Sequence, residues 1–368
     1  MRTFLTSVGI ASLALSSTQT STAELAFPLR DAGARMERIG ERAYAIIHDD
    51  ATEEWPHGNT GVIVGDDGVL VVDATYLPSR ARADIALIRS VTEQPVRYLA
   101  YTHWHFDHNN GAIAYREAFP QVIVVCERET REFVALNSLW WARRSARPDQ
   151  PKRVALTDLE RQLESGRNSA GEALSAAAKA KLETNIRQRR SELEELASLE
   201  VVTPDLVFDR ELTLFLGARR IHLRDWGRAN SPHDVTIHVP DGQILFTGDI
   251  LVQSPLPYLF ESWPAPWTGV LRELESIPVT ALVPGHGPVL NDHAYTRQVR
   301  ALLEATLSRV ADMARKGLSL EEIQRDLDLS DVRKTVPAWR AAEFDEDWNA
   351  SMRALIERAW RGVRGQGG

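Results

Sequence analysis

The sequence predicts an α/β layered fold, and three observations carry that prediction. Short apolar runs bounded by turn residues alternate with helical stretches from about Met36 to Phe133, the pattern of packed sheets and helices. A strongly helical segment, about residues 133–200, interrupts the pattern. The β pattern resumes at Val201 and gives way to helical sequence after about residue 290.

Taken in order, MERIGERAYAIIHDD (36–50) holds a strand-like stretch that ends in charged residues. GVIVGDDGVLVVDA (61–74) reads as two apolar strands around a Gly-Asp-Asp-Gly turn, a hairpin signal. Residues 78–94 are helical in character, VRYLAYT (96–102) is an apolar strand, IAYREAF (113–119) a short helix and QVIVVCE (121–127) a further strand. In the helical segment, Thr157 and Glu160 have the spacing of a capping box. Leu174, Ala178, Leu182 and Ile186 recur every fourth residue, and Leu193, Leu196 and Leu199 extend the apolar stripe. Gly166, Arg167 and Asn168 turn the chain between two helices, so the segment reads as an inserted helical hairpin. Its charged face is solvated, or serves as a lid or a homo-oligomer contact. Beyond it, LVFDRELTLFL (206–216), RRIHLRDW (219–226) and DVTIHVPDGQILFTGD (234–249) are strand sequences, and Ser319 with Glu322 makes another capping box.

Composition narrows the function. The 368 residues carry a net charge of −8, which argues against a nucleic-acid-binding face. The single cysteine, Cys126, allows no internal disulfide and suits a buried structural thiol at a strand end. At the N-terminus, Arg2 precedes a mostly apolar run from Phe4 to Leu15, and Ser21-Thr22-Ala23 offers a small-residue cleavage site. Residues 1–23 therefore read as a secretory signal peptide, with a periplasmic or secreted mature protein and no membrane span.

The chemistry gathers in YTHWHFDHNNG (101–111), directly after an apolar strand. His103, His105, Asp107 and His108 are of the ligand types that hydrolytic zinc takes, and in β geometry the first three would share one face. Asp249 in ILFTGDIL and His286 in ALVPGHGPV have the same setting, a polar group beside glycine at a strand end.

These motifs resemble those of the metallo-β-lactamase fold superfamily: HxHxDH at 103–108, then TGD with Asp249, then PGHG with His286, in the family's order. GVIVGDDGVLVVDA, with Asp73, is similar to the family's early strands. The resemblance spans about residues 36–290, leaving 133–200 as an insertion and 291–368 as a helical C-terminal region. It implies an αββα four-layer sandwich with the metal site on loops at one edge. It further implies one seat from His103, His105 and a third histidine, a second from Asp107, His108 and His286, and Asp249 between them. Aligning GRANSPHD (227–234) on the third motif puts Asn230 at that histidine's position, with His233 three residues on; Pro232 and Asp234 keep their places. Either Asn230 replaces the histidine, as a weak oxygen ligand or through water, or His233 reaches the metal through a remodelled loop, or the site is degenerate.

The leading expectation is an exported hydrolase with one or two zinc ions, iron or manganese being alternatives. A zinc-bound hydroxide would attack the ester, thioester or amide carbonyl of a small-molecule substrate, oriented by Asp107 as the catalytic residue. A β-lactamase is the runner-up, and the rival of another class is a non-catalytic periplasmic metal-binding or interaction protein. Among the remaining candidates, His57 belongs to a region that lines the cleft in relatives, whereas His222 and His238 read as ordinary strand residues. Trp104 and Phe106 point to the core, and WPAPW (263–267), with Trp263 and Trp267, has the texture of a substrate-wall loop or of simple surface packing.

Overall fold

The computed structural model describes residues 29–31, 34–48, 57–138, 140, 144, 147, 149–253 and 256–366, so the expected signal peptide lies outside the described residues. Eight strands in chain order form one sheet: β1 (Leu29–Asp31), β2 (Ala34–Gly40), β3 (Ala43–His48), β4 (Thr60–Val64), β5 (Val69–Val72), β6 (Val96–Ala100), β7 (Ile123–Glu127) and β8 (Leu206–Phe208). The other sheet holds β9 (Glu211–Leu216), β10 (Arg219–Asp225), β11 (Val235–Val239), β12 (Ile244–Val252) and β13 (Ala281–His286), in the order β13-β12-β11-β10-β9.

The layering follows from strand alternation, which sends successive side chains to opposite faces. In β4 and β5, Ile63, Leu70 and Val72 meet Leu214, Ile221, Ile237 and Phe246 of the second sheet, forming the core between the sheets. Val62, Val64, Val69 and Val71 point the other way, onto Ile85 and Ile88 of α1 (Pro78–Val91) and Tyr115 of α2 (Ala112–Ala118). The GDDG hairpin is antiparallel with Val62 opposite Val71, while β5 to β8 run parallel, as the intervening helices require. On the far side, Leu245 and Leu282 pack under Trp267 and Leu271 of α6 (Pro264–Leu274), Leu302 and Leu303 of α7 (Ala294–Arg315) and Leu355 of α10 (Asp345–Val363). The order is thus helix, sheet, sheet, helix, and the C-terminal helices, with α8 (Leu320–Asp326) and α9 (Ser330–Arg333), build the second outer layer.

Between β7 and β8 the chain forms α3 (Arg128–Phe133), a π-helical turn (Val134–Ser138), α4 (Pro151–Ser165) and α5 (Ala176–Ala197). Leu156, Leu182, Ile186 and Leu193 make a small core between α4 and α5, and Leu196 and Leu199 dock it on Tyr76 and Phe106. Gly166, at φ 66°, ends α4 where the turn was expected. Thr157 does not start a helix: α4 begins at Pro151, where a missing N–H costs nothing, and the Thr157 hydroxyl donates to Arg153 O inside the helix. The Ser319–Glu322 capping box is present at α8. WPAPW is not a wall loop but the first turn of α6, with Trp267 fully buried and its Nε1 donating to Ile250 O. Among the described residues, no helix is long and apolar enough to cross a membrane.

Candidate metal centre

Strands and the loops that follow them assemble the site. Asp73 follows β5, residues 103–108 follow β6, Asp249 lies in β12 and His286 closes β13. The β12–β13 pairing shifts register at Gly248, whose φ is +49°, and this bulge turns Asp249 toward the β6 loop. Gly285 makes room for it, since a Cβ there would fall 2.0 Å from Asp249 Oδ1. In the β6 loop, Asn109 Nδ2 donates to the carbonyls of Trp104 and His105, and its Oδ1 accepts from Ser138 Oγ of the insertion. Trp104 and Phe106 alternate with His103, His105 and Asp107 and anchor the loop, Trp104 against Phe133 and Phe106 against Tyr76.

Six of the expected ligands converge, all of them buried. His103, His105 and Asp249 form one group and Asp107, His108 and His286 another, each with its donor atoms within 4.8 Å of one another. His103 Nε2 lies 2.9 Å from His105 Nδ1 and 3.6 Å from Asp249 Oδ2. His108 Nε2 lies 3.2 Å from His286 Nε2 and 3.2 Å from Asp249 Oδ1, and His286 Nε2 lies 3.0 Å from Asp107 Oδ2. Asp249 therefore reaches both groups, one oxygen to each.

The outward nitrogens fix what the inward ones carry. Thr102 Oγ1 donates its one proton to Asp73 Oδ2, so it can only accept from His103 Nδ1, 3.0 Å away. Asp73 Oδ2 also faces His108 Nδ1 at 2.8 Å, and Glu261 Oε2 faces His105 Nε2 at 3.2 Å. With protons on these outer nitrogens, three imidazoles turn lone pairs toward one another and toward two carboxylates. That arrangement demands positive charge at its centre, and a divalent cation with nitrogen and oxygen ligands fits it.

The electrostatics agree. Burial opposes charge on His108, but Asp249, Asp107 and Asp73 outweigh it and raise its pKa well above the histidine range. Burial pushes Asp107 up, yet His108, His286 and His105 hold it well below the usual carboxylate range. Asp249 is lowered as well, its burial overcome by His108 and His286. His103, by contrast, is held neutral by burial and by its histidine neighbours.

The two uncertain residues separate. Asn230 is fully buried; its Nδ2 donates to Tyr258 O at 2.7 Å, and its Oδ1 is buried without a hydrogen bond among the described residues. His233 is not brought to the cluster. Its Nδ1 lies 3.2 Å from Asp225 Oδ2 and its Nε2 3.2 Å from Glu129 Oε2, with Glu127 also in reach, so three carboxylates occupy the ring. The tight turn around Pro232 explains this: Asp234 accepts from Ser231 N and Oγ, pinning the loop. His57 does sit beside the site, its Nδ1 3.0 Å from Thr75 Oγ1 and the next residue's N–H on Asp107 O. Burial, and then His48, lower its pKa to about 3. His222 and His238 are cross-strand partners of β10 and β11, away from the cluster.

Glu261, Tyr258 and Thr102 were missed in the sequence. Thr102 adjoins the motif and could have been weighed as a partner for His103, but nothing local marks Glu261, which meets His105 across 156 residues.

A model of the metallo-β-lactamase superfamily matches residues 54–286. A linear primary-alkylsulfatase from Pseudomonas sp. (strain ATCC 19151) is 22% identical over 273 residues, covering 71% of this chain and 48% of the alkylsulfatase. Among solved structures, a metallo-β-lactamase from Pontibacter korlensis matches with a TM-score of 0.52 at 16% identity, covering 74% of this chain and 99% of that one. The stereoselective inverting sec-alkylsulfatase from Pseudomonas sp. matches with a TM-score of 0.56 at 16% identity, over 90% of this chain and 49% of that one. The chain thus spans about half the length of these alkylsulfatases, and the structural likenesses show the fold alone.

Proposed function

From the premise that the chain belongs to the metallo-β-lactamase superfamily, we propose that it is an exported zinc hydrolase of ester, thioester or amide substrates. The observation that carries the reading is the set of buried imidazole lone pairs and carboxylates brought together from the β6 loop, β12 and the end of β13, with an outward acceptor behind His103, His105 and His108. When bound, the metal would supply Lewis acidity toward the scissile group and lower the pKa of a water molecule. His103, His105 and Asp249 would hold one ion. Asp107, His108 and His286 would hold the other, with Asp249 shared.

The chain's own residues then divide the work. Asp107, kept ionised by its histidine neighbours, orients the attacking water through an acceptor oxygen and carries its proton toward the leaving group. His57, neutral at pH 7, lines the same side and offers a hydrogen bond without adding charge. Export rests on the pattern of residues 1–23 and is tested by cell fractionation with and without them.

A second reading, hydrolysis of an alkyl sulfate ester, is favoured by the sequence likeness to the linear primary-alkylsulfatase, which covers 71% of this chain. A panel of a nitrophenyl ester, a thioester, nitrocefin and dodecyl sulfate, each with and without zinc, separates these from one another and from a β-lactamase. Zinc-dependent turnover of the ester or thioester supports the main reading. Turnover of dodecyl sulfate alone selects the second, and no zinc-dependent turnover of any of the four sinks both.

A further inference from the structure

On the metal-binding reading above, we infer that Glu261 is a positioning residue for the His103–His105 seat. Its carboxylate accepts a hydrogen bond from His105 Nε2–H, keeps the proton on that nitrogen and so presents the Nδ1 lone pair inward. The geometry carries this directly: His105 Nδ1 lies 2.9 Å from His103 Nε2 and 4.0 Å from Asp249 Oδ2, whereas Nε2 lies 3.2 Å from Glu261 Oε2 on the opposite side of the ring. An imidazole offers a metal one nitrogen at a time, and the acceptor on the other nitrogen decides which.

Glu261 can impose that orientation because its segment is held from three directions. Asn230 Nδ2 donates to Tyr258 O at 2.7 Å, Trp263 N donates to Ala229 O at 2.8 Å, and Arg358 of α10 donates to Phe260 O through Nε at 3.0 Å and Nη2 at 2.8 Å. The Tyr258 ring also stands edge-on to His105, with centroids 5.5 Å apart, and blocks a swing of the imidazole. Buttressing matters more in this seat than in the other. His108 has the fully buried Asp73 behind it, while the His103–His105 seat has an amide at the third-motif position and depends on two imidazoles and the shared Asp249. A second carboxylate behind the seat also raises the basicity of a ligand set that lacks its third imidazole.

The test is zinc titration of the full chain against a chromophoric chelator, comparing wild type with Glu261→Ala, Glu261→Gln and His105→Ala. The imidazole tautomers are read in the metal-free proteins by nitrogen-15 NMR. Expected is a roughly 10–100-fold loss of affinity in Glu261→Ala, confined to the zinc equivalent that His105→Ala also loses. Glu261→Gln, which keeps an acceptor oxygen but not the charge, should fall between wild type and Glu261→Ala. The His105 signal should shift from the Nε2–H tautomer toward a mixture in Glu261→Ala. Because the Glu261 side chain is 42% exposed, its replacement leaves the core intact, and thermal melts verify folding. Wild-type protein that binds zinc while Glu261→Ala binds it equally, with the tautomer unchanged, overturns this assignment alone. Wild-type protein that takes up no zinc overturns the metal reading and this inference together.

Discussion

Asp73 Oδ2 and His108 Nδ1 meet at 2.8 Å with both side chains buried. The same carboxylate accepts from Thr102 N and from Thr102 Oγ1, each at 2.8 Å, so it orients His108 directly and His103 through the threonine hydroxyl. One residue with a left-handed backbone, at φ 60°, therefore backs an imidazole in each of the two histidine groups.

Replacing Asp73 by asparagine isolates that function, because asparagine tolerates positive φ and has nearly the same volume. All three contacts to Asp73 require an acceptor, and an amide must turn its NH2 toward one of the donors. The expected outcome is a 10–100-fold loss of zinc affinity with a folded chain, measured by chelator competition. Unchanged affinity would show that the ligands are held without Asp73.

Gly285 offers a steric test of the shared ligand. An alanine Cβ at this position would lie 2.0 Å from Asp249 Oδ1 and 2.8 Å from Gly248 C, so the carboxylate must move. Since Asp249 reaches both histidine groups, Gly285→Ala should depress both zinc equivalents together, whereas changes at His105 should depress one. Isothermal titration counts the equivalents; retention of two tight sites would mean that Asp249 does not join the groups.

The layers and six converging side chains were legible in the sequence for a local reason. Strand alternation records which faces are buried, and HxHxDH, TGD and PGHG each set a metal-binding residue type in or directly after an apolar strand. What escaped was non-local. Glu261 sits on an irregular segment whose position is set by contacts with Asn230 and Arg358, neither a neighbour in sequence. Asn230 was visible as a departure, but its burial and its bond to Tyr258 O needed the packed chain. Thr157 and Glu160 had capping-box spacing without being a helix start, because Pro151 and a continuous helical run upstream set the boundary first.

His233 should prove to be a stability residue rather than a ligand. The hydrogen bond with Asp225 first, then the charges of Asp225, Glu127 and Glu129, raise its pKa to about 9 against the opposing effect of burial. A pKa raised in the folded state means that folding is favoured below the unfolded value near 6.5 and that the gain disappears as pH rises through about 9. His233→Gln should therefore destabilise the protein by on the order of 1–2 kcal/mol at pH 6, after allowance for partial solvent screening. The difference should shrink toward zero at pH 10, followed by urea unfolding of both proteins across that range. Its zinc stoichiometry should equal that of wild type; loss of an equivalent would return His233 to the first seat.

Arg358 ties the C-terminal helices to the candidate metal centre. Its guanidinium makes two hydrogen bonds to Phe260 O on the surface, one residue before Glu261, and so reaches His105 through a single peptide link and one carboxylate. Arg358→Met removes those bonds while keeping much of the aliphatic stem, at a net cost of about 0.5–1.5 kcal/mol, equivalent to roughly a two- to tenfold change if all of it reaches the seat. Zinc affinity in that seat should fall within this range, and amide exchange across residues 256–263 should quicken. The decisive comparison is the double variant with Glu261→Ala. If Arg358 acts by holding Glu261 in place, removing the arginine once the carboxylate is gone should cost no further zinc affinity, a coupling that independent effects cannot produce. Additive losses would instead mean that the helix stabilises the site by another route.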